Sequence, residues 1–318
     1  MSDRSLAHLS FPPLHLSQER ELGPYYQDLR PAIQIVQSEF HGPVDSDGIP
    51  HVRLGPEQVV EHPVTVAQYA LALHSQLQLE GREAQGGQAE PLLQRLADHL
   101  VERQEGPSPK AEPVRDGPTE AGVWFLRFDS PKYPWLRAPW ASAIVQGMAV
   151  SALLRAEEWF GDPRYGAAAA AGYHALHNWE GLHLEAEGDL WYEEYPAHPP
   201  LHVLNGHLYA ALGVLDMARH SGDLEARARW GRAGETAACY LEAFDVGYWS
   251  VYDLGQREPV SRHYHGNIHV PLLRIFGELT HDARFTDAAQ RWEGYLHSPV
   301  ARLRHAVSAR LHRWRKIS

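Results

Sequence analysis

The sequence predicts an all-α fold, an α/α toroid in which helical hairpins form a ring joined by short aromatic β-hairpin loops. Two observations carry this reading. Between residues 62 and 296 apolar side chains recur at spacings of three and four, the period of a helix with one buried face. A glycine followed by an aromatic cluster also recurs, as Gly122-Val123-Trp124-Phe125, Gly188-Asp189-Leu190-Trp191-Tyr192 and Gly247-Tyr248-Trp249-Ser250-Val251-Tyr252. Each interval between the three tryptophans holds two helices, the mark of a repeated hairpin. Such a ring would gather its aromatic loops on one face.

Each element follows from local signals. Residues 1–57 read as an irregular N-terminal segment packing on the barrel, because proline, glycine and aromatics punctuate them. Asp45-Ser46-Asp47-Gly48 is a turn and lacks the later glutamate of a calcium loop. The barrel occupies 58–298. Its first helix begins near His62-Pro63, since proline suits a first helical turn. A second runs from Pro91 to Arg103. Residues 105–118 hold four prolines and read as a loop. Val123–Phe128 suits a strand. Helices follow at 142–158, 165–178, 203–220, 224–243, 268–280 and 284–296. Residues 299–318 form a basic helix or tail. From Leu296 onward there is no acid, while Arg302, Arg304, Arg310, Arg313, Arg315 and Lys316 add positive charge. That charge reads as a solvated terminal helix, or as a contact for an acidic polymer or partner.

Composition excludes several classes. A net charge of −11 argues against a general nucleic-acid binder. The lone cysteine, Cys239, cannot form an intramolecular disulfide. No stretch is apolar enough for a signal peptide or a membrane span, so a cytoplasmic protein with no membrane partner is expected. The 21 histidines are scattered and there are no cysteine pairs, so no metal site is predicted. Gly86-Gly87 is an isolated pair and supports no nucleotide or other cofactor.

The candidate chemistry centres on Trp191–Ala218. Here WYEEYP passes through a proline-rich turn into an apolar helix at Asn205-Gly206. Glu194 and Tyr195 lie in that loop, Tyr252 and Asp253 in the next aromatic loop, and Tyr264-His265 beyond it. Trp191 and Trp249 would present rings to the apolar face of a sugar, or else merely seal the barrel. Asn205 caps the core helix or braces the loop. Gln146 either reaches the cleft or is a satisfied buried amide. Arg262 and His265, with other nearby cations, could lower a tyrosine toward use as a base. Three tyrosines with one glutamate suit a weakly acidic carbon proton such as C5 of a uronic acid. That reaction needs a base and a cationic clamp on the carboxylate as it becomes enolate-like.

Several blocks in order, from VDSDGIPHVRLGPEQVVEHPVTVAQYALALHS through PWASAIVQGMAVSALLRA, WYEEYP with VLNGHLYAALGVLD, GYWSVYDL and SRHYH to FTDAAQRWEGY, resemble the D-glucuronyl C5-epimerases. The likeness is to their C-terminal catalytic domain and its bacterial relatives. It implies an α/α barrel, a homodimer, and conversion of D-glucuronate to L-iduronate in a heparosan-like glycosaminoglycan such as a heparan sulfate precursor. It also implies that Glu194, Tyr195, Tyr252 and Tyr264 are catalytic, and it alone admits calcium. This sequence has Gly255 where the family follows YDL with a basic residue, and Ile268 then His269 where it has a histidine. Arg257, Arg262 and Arg127 are therefore the candidate clamps. The alternatives are a polysaccharide lyase, a glycoside hydrolase using Glu194 and Asp253, and a non-catalytic saccharide-binding protein.

Overall fold

The computed structural model describes residues 9–14, 16, 22–36, 42–55, 58–106 and 121–315. Most of the proline-rich loop expected at 105–118 and the last three residues of the basic tail lie outside them.

The described residues are mostly helical. The first long helices are α2 (Pro63–Glu80) and α3 (Ala89–Arg103). Then come α4 (Ala143–Phe160), α5 (Pro163–Asn178), α6 (Leu204–Ser221) and α7 (Leu224–Tyr240). The chain ends with α9 (Val270–Thr280), α10 (Ala283–His297) and α11 (Pro299–Arg315). The expected helices are present with ends moved by a few residues. The N-terminal region also holds a short helix, α1 (Pro31–Val36), and a strand, β1 (His51–Arg53), paired with β2 (Val59–Glu61). Runs of three to six residues are too brief to show a period, so sequence reading had no element there.

Three helical hairpins share one turn. A left-handed residue stops the first helix and the next aspartate caps the second. The pairs are Gly161-Asp162 between α4 and α5, Gly222-Asp223 between α6 and α7, and His281-Asp282 between α9 and α10. Each aspartate accepts a hydrogen bond from the backbone N–H two residues on, satisfying a donor the helix start would leave open. Within the hairpins α4 packs on α5, α6 on α7 and α9 on α10, and α2 packs likewise on α3. Between hairpins the inner helices touch: α2 meets α4, and α4 meets α6.

The inner helices are buried nearly all round. The α4–α6 crossing brings backbones into contact, because a Cβ on Gly147 would come 2.4 Å from Ala210 Cα. One buried ion pair spans it, with Arg155 Nη1 2.6 Å from Asp216 Oδ2. Tyr26 donates to the same aspartate and Arg155 donates to Gly23 O, so this pair also fastens the N-terminal segment. No helix among the described residues is long and apolar enough to cross a membrane.

Of the aromatic hairpins, the second is complete: β5 (His183–Ala186) pairs with β6 (Asp189–Tyr192). The first is two residues deep, β3 (Phe125–Leu126) with β4 (Trp140–Ala141). The third holds only isolated bridges, Asp245 with Ser250 and Val251 with Pro259. Backbone bonds tie the loops together. Ala143 N donates to Glu193 O, and Leu254 N donates to Leu201 O. Residues 130–142, 192–204 and 250–264 thereby meet where α4 and α6 begin.

Candidate active site

Glu194 is the centre of the cluster. It follows β6, where the chain turns toward α6, and its side chain lies against Gly206 in the first turn of that helix. A Cβ at Gly206 would sit 2.6 Å from both Glu194 Cβ and Oε2, so glycine makes room for the carboxyl. Only 9 % of Glu194 is exposed. Burial disfavours the charged form and pushes its pKa up to about 7, against smaller opposing effects from Tyr252, Tyr195 and Lys132.

The tyrosines form a chain leading to that carboxyl. Tyr252 Oη donates to Glu194 Oε1 at 2.7 Å, and Tyr195 Oη lies 3.1 Å from Tyr252 Oη. The Tyr264 ring meets the Tyr252 ring edge-on at 5.7 Å, and its hydroxyl is hydrogen-bonded by the Asn205 amide. Burial raises the hydroxyls of Tyr195, Tyr252 and Tyr264 well above the ordinary tyrosine value, and the Glu194 charge adds to this. None is therefore a resting phenolate near neutral pH. Glu194 Oε2 and Asn205 Oδ1 have no partner among the described residues.

Tyr264 ends a short helix, α8 (Arg262–Tyr264), capped by the Ser261 hydroxyl. A π-helical turn, His265–His269, joins it to α9. Such π-helical turns recur at functional sites. The sequence pattern placed a plain helix start near 268.

Two further residues enter the cluster that sequence reasoning did not single out, Lys132 and Tyr133. They lie in a tight turn where Ser130 N donates to Leu136 O and Tyr133 N to Ser130 Oγ. Tyr133 Oη donates to Asp253 Oδ2 at 2.8 Å, and its ring meets the Tyr195 ring edge-on at 4.6 Å. Trp140 stacks on Tyr195 at 5.5 Å. Lys132 Nζ lies 4.3 Å from the Tyr252 ring centroid and 3.7 Å from Glu258 Oε2. Trp135, half exposed, adjoins Tyr133. The signal available was a cation between hydroxyl and aromatic residues in a proline-fixed loop, Ser130-Pro131-Lys132-Tyr133-Pro134-Trp135.

The remaining expected site residues lie elsewhere. Trp249 is fully buried, with His265 stacked at 4.3 Å and His305 at 4.3 Å. Trp191 is equally enclosed, stacked on His207 at 4.1 Å and on Phe244 at 5.9 Å. Rings so covered have no face left for a sugar, so these tryptophans seal the fold. His265 is buried between Ser250 Oγ and Trp292 O and braces the third loop. The Gln146 amide accepts from Trp124 N and donates to Trp124 O, the satisfied buried amide. Arg127 is exposed, pairs with Glu105 and lines a separate cavity of about 380 Å³ with Glu61, Glu102 and Arg103. Arg257 is exposed and donates to Ala243 O. Arg262 is exposed on α8, beside Tyr264 in sequence.

No group of three or more His, Cys, Asp or Glu among the described residues is placed to hold a metal ion. Asp45 Oδ1 accepts from Asp47 N and Ile49 N, an ordinary turn that gives calcium no cradle.

Comparison with known proteins covers the segment that carries this cluster. The sequence model of a family described as D-glucuronyl C5-epimerase C-terminus matches residues 119–294. That span contains every cluster residue above. The block at 44–75, on which the sequence resemblance also drew, lies outside it. The D-glucuronyl C5-epimerase of Caenorhabditis elegans is 31% identical over 183 residues, covering 51% of this chain and 30% of the worm protein. An uncharacterised protein of Methanocaldococcus jannaschii is 28% identical over 182 residues, 54% of this chain and 56% of that one. The matched part of the chain thus spans under two thirds of either relative. A family match over more than half of the chain, with the buried Glu194–tyrosine cluster inside it, places this protein in the D-glucuronyl C5-epimerase C-terminal family.

Proposed function

We propose that the protein is an isomerase that inverts C5 of D-glucuronate units, giving L-iduronate, in a heparosan-like or other uronic-acid saccharide. The observation that carries this reading is the hydrogen-bonded series Tyr195–Tyr252–Glu194, which ends on a carboxyl held near pKa 7. A buried tyrosine is a poor standing base, but it can pass a proton along. Tyr195 takes the C5 proton while its own proton moves to Tyr252, and that of Tyr252 to Glu194. The C–H electron pair moves into the sugar carboxylate as an enolate. Tyr264, steadied by Asn205, returns a proton to C5 from the opposite face. Solvent then resets Tyr264 and Glu194. The roles of Tyr195 and Tyr264 exchange for the reverse direction. Proton transfer by positioned groups contributes roughly 10²–10⁴-fold.

The same reading arranges the hairpins as an α/α toroid filling about 58–298, with the N-terminal segment packed on it and α11 as a basic appendage. It retains a homodimer. Arg262 is kept as an outer saccharide contact because it is exposed next to Tyr264. Half-exposed Trp135 takes the sugar-stacking role that Trp191 and Trp249 cannot fill.

The test is proton NMR of a heparosan oligosaccharide incubated with the protein in D2O. Loss of the H5 signal with new iduronate resonances is expected. An unsaturated product absorbing in the ultraviolet would make it a lyase. New reducing ends without deuterium at C5 would make it a hydrolase. Binding without exchange would leave a saccharide-binding protein.

A further inference from the structure

We infer that Lys132 is the cation that receives the substrate carboxylate and holds it as it becomes enolate-like. This rests on the proposed function and adds a residue to it. Removal of a proton beside a carboxylate places a second negative charge on that group. Without a cation at hand the enolate is inaccessible, so the site must contain one.

Three arginines could be expected to serve, and their placement argues against each. Arg127 is paired with Glu105 at a separate cavity, Arg257 is turned to Ala243 O, and Arg262 is exposed on α8. Lys132 instead stands over Tyr252 of the relay, 4.3 Å from the centre of its ring, and 5.6 Å from that of Tyr133. Its charge reaches Glu194, where it opposes the effect of burial. Its side chain is 26% exposed, which leaves a route for a ligand. The turn that carries it is fixed by prolines on either side of Lys132-Tyr133 and by the Ser130 bonds, so the ammonium is pre-positioned.

The group that lysine now faces is informative. Glu258 Oε2 lies 3.7 Å from Nζ, within ion-pair range. Glu258 is a carboxylate and an ordinary surface partner for Lys132. A uronate carboxylate presents the same chemistry and would take over the ammonium's donors when it binds. Neutral hexoses lack that group. Lys132 is thus also a specificity determinant for uronic acids.

The decisive experiment is a competition. Binding of a heparosan oligosaccharide is compared with that of the same oligosaccharide after reduction of its carboxylates to alcohols. The comparison uses wild type, Lys132→Met and Lys132→Arg. A charge-assisted hydrogen bond corresponds to roughly tenfold to a hundredfold in affinity. Wild type should prefer the uronate form by that factor, Lys132→Met should bind both forms alike, and Lys132→Arg should keep much of the preference. Glu258→Gln should increase uronate affinity. A ratio of two ligands on one protein sample is insensitive to partial misfolding, so a merely structural lysine would leave it unchanged. Preference that survives in Lys132→Met overturns the clamp, as does a wild type with no preference. A wild type that shows the lysine-dependent preference but exchanges no deuterium at C5 upholds the clamp and overturns the epimerase reading alone.

Discussion

Replacing Glu194 with glutamine should move activity and stability in opposite directions, and pH should separate the two. The carboxyl is pushed from 4.5 up to about 7 by burial. Between those values the native state binds a proton that the unfolded state has released. Stability therefore falls as pH rises through that window, by about 1.4 kcal/mol per pH unit. The total is about 3 kcal/mol once pH exceeds 7. Glutamine has no charge to desolvate and can still accept from Tyr252. Glu194→Gln should thus gain little at pH 5 and up to about 3 kcal/mol at pH 8, a rise in Tm of roughly 5 °C for a chain of this size. Deuterium exchange at C5 should fall by roughly 10²–10⁴-fold, the contribution of a lost proton acceptor. In wild type the exchange rate should climb through pH 7 as Glu194 ionises. Thermal melts at pH 5 and pH 8, paired with NMR exchange rates, make the test. A glutamine variant equally stabilised at both pH values, or one that keeps exchange within a few-fold, would refute the assignment of Glu194 as the terminal acceptor.

Other perturbations have equally definite outcomes. Tyr195→Phe and Tyr264→Phe should each lower C5 exchange by roughly 10²–10⁴-fold with little change in melting temperature; full exchange in both would sink the relay. Gly206→Ala forces a methyl within 2.6 Å of the Glu194 side chain. It should cost roughly 1–3 kcal/mol in denaturant unfolding and reduce exchange as well. Arg155→Met strands the buried Asp216 charge and frees the N-terminal segment. Loss of one partner of such a pair costs about 3–5 kcal/mol, measurable as a lower urea midpoint at unchanged slope.

Much of this architecture was legible in the sequence because helical period and capping residues act locally. Asp162, Asp223 and Asp282 each cap a helix immediately after a left-handed residue, and two of those residues are glycines. The gathering of Glu194, Tyr195, Tyr252 and Tyr264 was also legible, since the first three lie on aromatic loops and Tyr264 follows the third of them closely in sequence. What sequence could not resolve was direction. A tryptophan after a glycine reads alike whether its ring faces solvent or core; only the histidines stacked on Trp191 and Trp249 reveal the latter. Lys132 and Tyr133 stand in a proline-punctuated turn without periodicity. Their contacts are set by Asp253 and Tyr252, about 120 residues away in the chain. The π-helical turn at His265–His269 leaves no local signature either, because it is a matter of register rather than residue type.

The two carboxylates of the site show why proton exchange fits it better than hydrolysis. Hydrolysis of a glycosidic bond asks both members of a carboxylate pair to reach the substrate or its water. Asp253 is fully buried, and both its oxygens are occupied, Oδ2 by the Tyr133 hydroxyl and Oδ1 by Gln256 N. It is a fixture that holds the Lys132-Tyr133 turn against the third loop. Glu194 differs on each count. One oxygen accepts a hydrogen bond from the Tyr252 hydroxyl, the other has no partner among the described residues, and a small part of the side chain is exposed. One carboxylate thus positions the turn that carries a cation, while the other ends a line of tyrosines. The proposed exchange at a carbon beside a carboxylate would use that division, with Glu194 as the proton acceptor and Lys132 as the charge opposite the developing enolate.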